Sequence, residues 1–183
     1  MSDQQNAVNK IMDFLSDDTK RTLLLEGYDD DAKIRVTLSC LNKSFSKGII
    51  KTGRMSDIPR HINRAFKRKK LPPNVTSSSV YPIGKMNIKI NSYVTHTKSN
   101  PKGNDNTFTV FFPVQSVLMN DEKYKSFLDE VKDTESKKVI IITTNDQGIK
   151  EWDIENHVDE VFFYSVENDN PQIMTNLRNN GAI

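Results

Sequence analysis

Cysteine occurs once, at Cys40, in a chain of 183 residues. A single thiol excludes an intrachain disulfide framework and a cysteine-rich zinc site, and it fits a reducing compartment. Histidine is nearly as scarce. His61, His96 and His157 fall in unrelated segments with no partner at metal-ligand spacing, so neither a metal site nor a catalytic triad is expected. Aromatic residues make up 8% of the chain, and only Phe66 and Tyr81 lie near its basic run, which offers little for stacking on unpaired bases. No apolar run approaches the roughly 18 residues that a membrane-spanning helix needs, and the polar start Met1-Ser-Asp-Gln-Gln-Asn6 does not read as a secretory leader. A cytoplasmic protein with no membrane association is the expectation. Net charge is almost absent too: 26 Lys+Arg oppose 24 Asp+Glu, so any attraction to nucleic acid has to come from a local patch.

What is present is a regular alternation of strand and helix patterns, long enough for one domain with a real core. Residues 5–16 place Ala7, Val8, Ile11, Met12, Phe14 and Leu15 at helical spacing, an N-terminal flanking helix. Thr22 to Glu26 is a short continuous apolar run, the pattern of a strand buried on both faces of a parallel sheet. Ile34, Leu38, Leu41 and Phe45 then mark one helix face, with Cys40 just off it as a structural thiol. Gly48 is read as ending this helix, Ile49 to Thr52 as a second strand, and Ser56-Asp57 with Pro59 as the start of a helix whose stripe is Ile58, Ile62, Ala65 and Phe66.

Between about residues 67 and 106 the pattern changes, through Pro72-Pro73, a serine run, the alternation Met86-Asn-Ile-Lys-Ile90 and a polar turn at residues 99–104. This predicts a β-rich insertion at the sheet edge. Alternation resumes with a strand over 108–114, a helix carrying Tyr124, Phe127, Leu128 and Val131 behind an Asn120-Asp121 cap, and the β-branched run Val139 to Ile142. A short helix around Ile149 and Trp152, a strand from Glu160 to Val166 and a last helix from Pro171 complete it. Five strand-then-helix units predict an α/β protein: a three-layer α/β/α domain over residues 1–183 with a mainly parallel five-stranded sheet.

The turn after the first strand carries the chemistry to be weighed. Gly27, Ala32 and Lys33 fall at the spacing of G-x-x-x-x-G-K-[ST], with Ala32 at the second glycine and Ile34 at the hydroxyl position. Asp29, Asp30 and Asp31 oppose a triphosphate but suit the capping of a helix N-terminus. The order of units resembles P-loop NTPases of the additional-strand class, including AAA-type ATPases. That resemblance makes Thr22–Glu26 similar to the Walker A strand, Lys33 to its lysine, the 108–112 strand to the Walker B strand and Asn145 to the polar sensor residue. The Walker B acids are absent, since the strand ends Phe111-Phe112-Pro113-Val114. It therefore implies an ATPase-like fold without ATPase activity, with no cofactor, metal or catalytic residue assigned.

A second resemblance, of Glu26-Gly27-Tyr28-Asp29-Asp30 to the Glu-Gly-x-x-Asp opening of Toprim domains, implies a glutamate acid or base, but the later Asp-x-Asp pair is missing. An enzyme alternative uses Glu26, Asp30 and Lys33 with Asp146 as the further carboxylate, for nucleotide- or magnesium-dependent phosphotransfer or nuclease chemistry.

Arg60, Arg64, Lys67, Arg68, Lys69 and Lys70 lie within eleven residues that hold no acid. Arg60, Arg64 and Lys67 are spaced to share one helical edge, a strip suited to phosphates and to salt-dependent, sequence-independent binding. The expected function is a non-catalytic interaction or nucleic-acid-associated module. A protein-binding inhibitor or adaptor, or a homo-oligomer, is the other class, and an apolar patch near residues 80–95 would mark it. Small size and the altered motif add an expectation of phage or mobile-element origin.

Overall fold

A computed structural model describes residues 1–95, 100–144 and 152–183. It is an α/β protein with one seven-stranded sheet and, among the described residues, five α-helices. In chain order these are α1 (Asp3–Ser16), β1 (Thr22–Glu26), α2 (Asp30–Ser44), β2 (Lys47–Thr52), α3 (Ile58–Phe66), β3 (Val80–Ile83), β4 (Met86–Ser92), β5 (Phe108–Val114), α4 (Asp121–Asp133), β6 (Lys138–Thr143), β7 (Glu160–Phe163) and α5 (Pro171–Asn179). The strand order is β3-β4-β2-β5-β6-β1-β7, and every pairing is parallel except the β3–β4 hairpin.

The sheet has seven strands where five were expected. Residues 80–92 fold back through Gly84, at φ +62, and β4 then pairs in parallel with β2 from Lys47↔Asn87 to Thr52↔Ser92. The 80–92 hairpin is thus part of the sheet itself. Gly48 lies inside β2 rather than at a helix end, because the Phe108 ring covers it and leaves no room for a Cβ. The last strand stops at Phe163 and not at Val166. Asn145, Asp146, His96 and the helix expected around Ile149 lie outside the described residues.

Strand side chains alternate between two apolar clusters, one on each face, as the period-2 geometry of a pleated sheet requires. Leu23, Leu25, Val110, Ile140 and Ile142 join Phe14, Ile34, Leu41 and Ile62 from α1, α2 and α3. Leu24, Phe111, Val139 and Ile141 join Tyr124, Phe127 and Val131 of α4, with Trp152, Ile154 and Val158 from the stretch before β7. Helix α2, which follows β1, thus packs on one face, and residues 152–158, which precede β7, pack on the other. No described helix is long and apolar enough to cross a membrane.

Candidate functional site

The β1–α2 turn is shaped by Gly27. Its φ of +137 disfavours a side chain, and a Cβ there would lie 2.5 Å from the Tyr164 carbonyl oxygen, so only glycine lets the turn pass the end of β7. Asp29 caps α2, accepting from the Ala32 amide at 2.9 Å, and Asp30 and Asp31 occupy the first turn, where carboxylates suit the helix dipole.

Lys33 points inward. Its side chain has no exposed surface, and its ammonium donates to the carbonyl oxygens of Gly27 and of Thr143 (2.5 Å), while Asp30 Oδ1 lies 3.1 Å away. β1 and β6 are parallel neighbours, and their C-terminal ends lie together on the rim where open α/β sheets bind ligands. Here that rim holds a lysine of the chain itself, used as a bracket between β1, β6 and α2. Glu26 ends β1, and Asp30 is engaged by Lys33. On β5, Phe111 and Phe112 are buried and no acid stands at the end of the strand. Among the described residues no group of three His, Cys, Asp or Glu is placed to hold a metal ion.

The basic strip occupies α3 and the turn after it. Ile58, Pro59, Ile62 and Ala65 are buried, which turns the opposite face of α3 outward. Lys67 takes a left-handed conformation at φ 50 and closes the helix, its amide donating to the Arg64 carbonyl. Asn63 then braces the turn: its Oδ1 accepts from the amides of Lys70 (2.6 Å) and Leu71 (2.9 Å), and its Nδ2 donates to the Leu71 carbonyl. Buried Leu71 pins the far end.

The six cations differ in what they touch. Arg64 forms a two-point ion pair with Asp31 of α2, at 2.8 to 3.0 Å, which holds its guanidinium above the usual arginine pKa. Lys70 lies 5.3 Å over the Phe66 ring, and Arg60 is 3.9 Å from Asp57. Lys67, Arg68 and Lys69 are exposed and, among the described residues, make no ion pair.

His61 sits on the inner side of this helix, its ring edge-on to Phe112 at 5.6 Å and its Nδ1 buried without a hydrogen-bond partner. Burial, then the charges of Arg64 and Arg60, hold its pKa below the ordinary 6.5. Between that lowered value and 6.5 the unfolded chain binds more protons, so this histidine costs stability as pH falls from 6.5 through its folded-state value. Urea unfolding across that interval is expected to show a smaller loss in His61→Gln than in the wild type. Identical pH profiles would contradict this.

Three lysines of structural consequence escape sequence reasoning. Lys33 is known by its motif but not by its burial. Lys51 is buried on β2 and paired with Glu130 of α4, and Lys138 is buried at the start of β6. The one signal available is their position inside or beside apolar strand runs, where an uncompensated lysine would be costly. His157 is within 3.2 Å of Asp153, and Cys40 is buried, its thiol pushed up by that burial. In the 80–95 stretch the exposed large apolar side chains are Val80 and Val94. No protein-family model matches the chain, and no curated protein matches it.

Proposed function

We propose that this chain is a non-catalytic module that binds nucleic acid through α3 and the turn following it, on a three-layer α/β/α scaffold similar to additional-strand P-loop proteins. The likeness is supported by the parallel order β2-β5-β6-β1-β7, in which β6 is inserted between β1 and β5, as the extra strand of that class is. The non-catalytic reading is supported by Lys33, whose ammonium is engaged with backbone carbonyls and Asp30 inside the protein.

The observation that carries the binding role is the exposed succession Lys67-Arg68-Lys69 on a turn braced by Asn63, with exposed Arg60 about two turns earlier in α3. Such cations neutralise phosphates, release counterions and bind with little regard to base sequence. The test leaves Arg64 alone, since it holds α3 to α2, and Lys67 alone, since its backbone closes the helix. Arg60→Glu, Arg68→Glu and Lys69→Glu together are expected to weaken binding of labelled oligonucleotides of different sequence about equally. The slope of log affinity against log salt should fall by about three. Anisotropy titrations giving the wild-type affinity and slope for this variant would refute the interface.

A further inference from the structure

On the other side of the sheet from α3, a groove of about 550 Å³ runs over β2 and β4 beneath residues 101–104, a volume within the range of ligand pockets. Among the described residues its charged lining is Lys47, Lys89 and Lys102, with no acid. All three lysines are exposed, and among the described residues none is ion-paired.

The sheet register explains how they converge. Lys47 is opposite Asn87 and Ile49 is opposite Lys89, so the two lysines stand on one face, on adjacent strands, offset by two residues. That offset puts their backbones roughly 8 Å apart, close enough for both ammoniums to reach one anion.

The third lysine is brought by a fixed wall. Gly103 is held at φ +81 so close to the turn between α4 and β6 that a Cβ would collide with Ser136 Oγ. The Lys102 carbonyl accepts from the Glu135 amide at 2.7 Å, and a buried hydroxyl chain links Thr107, Ser136 and Thr109 at 2.8 Å per step. Three uncompensated cations around one hollow repel each other, and a multivalent anion removes that repulsion. Asn87 and Asn104 add amide donors, and the absence of an aromatic ring from the lining leaves bases nothing to stack on, so the recognised chemistry is the phosphate itself.

We infer that this groove binds closely spaced phosphate groups, as found in a free oligophosphate or along a nucleic-acid backbone, at a site separate from the α3 strip and independent of it. The probes are inorganic tripolyphosphate and a short oligothymidylate, titrated at low salt into the wild type, into Lys47→Gln/Lys89→Gln/Lys102→Gln and into the α3 triple variant. Exposed lysines leave the fold intact, which circular dichroism verifies.

Tripolyphosphate is expected to bind the wild type and the α3 variant alike, and to lose at least about tenfold in affinity in the groove variant. If oligothymidylate also weakens in the groove variant, the backbone of a nucleic acid is a source of the ligand; if it does not, the source is a free oligophosphate. Absence of tripolyphosphate binding to the wild type, or equal binding to the groove variant, overturns the site. Loss confined to the α3 variant does so too, while leaving the α3 interface standing.

Discussion

Replacing Lys33 with methionine is expected to lower the thermal midpoint by on the order of 10 °C, with no accompanying change in what the protein binds. The ammonium ties the Gly27 carbonyl after β1 to the Thr143 carbonyl at the end of β6, and Asp30 approaches it from α2. Methionine fills the same space but donates nothing. Each buried carbonyl that loses a charged donor costs about 1–3 kcal/mol, and Asp30 loses the cation beside it. At this chain length a kilocalorie corresponds to roughly 2–4 °C. In a working phosphate-binding loop the lysine faces the ligand, so its loss spares the fold and removes the affinity. Calorimetry of the two proteins without ligand separates these cases. A variant that melts with the wild type would show that Lys33 is not a bracket.

Lys138→Met is the second large effect, expected at about 2–4 kcal/mol and concentrated in α1. Lys138 opens β6 and is 1% exposed. Its ammonium donates to the carbonyls of Phe14 (2.9 Å), Asp17 (2.7 Å) and Lys20 (2.5 Å), and lies 4.7 Å over the Phe14 ring. The last carbonyls of a helix have no partner within it, so a cation there satisfies them and also opposes the helix dipole. Lys138 thus fastens the end of α1 and the turn after it to the sheet. Hydrogen exchange should show faster exchange in residues 3–20 of the variant, with β5 and β6 still protected. Unchanged protection of α1 would contradict this role. The two lysines act at opposite ends of β6: Lys138 is its first residue and gathers carbonyls of Phe14, Asp17 and Lys20, while Lys33 reaches from α2 to the carbonyl of Thr143 at its last.

The elements most legible in the sequence are those with the simplest burial. Leu23–Leu25 and Val139–Ile142 are apolar throughout because both faces of their strands are covered, and the stripes of α2, α3 and α4 recur at helical spacing because one face of each packs inward. Strand pairing is less legible. Met86 to Ile90 alternates as a strand should, but nothing in those residues says that the partner is Lys47–Thr52, and the sheet gains two strands as a result.

Side-chain direction is the other blind spot. Spacing located Lys33 but could not say that its stem points inward. The same spacing put Arg64 on a shared edge with Arg60 and Lys67, whereas Asp31, contributed by another helix, engages it. The groove lysines stand at positions 47, 89 and 102, and only the sheet register and the close approach of Gly103 bring them together.

Lys33 fills the β1–α2 turn, and the proposal that ligands are engaged elsewhere depends on that. The most direct test is the stabilisation that magnesium-ATP confers on the wild type and on Lys33→Met, each read against its own ligand-free melting temperature, since a ligand that binds the folded state raises the midpoint. The same increment is expected in both proteins, on a lower baseline in the variant. An increment present in the wild type and abolished in Lys33→Met, with equal ligand-free midpoints, would contradict this and identify the turn as a working nucleotide site.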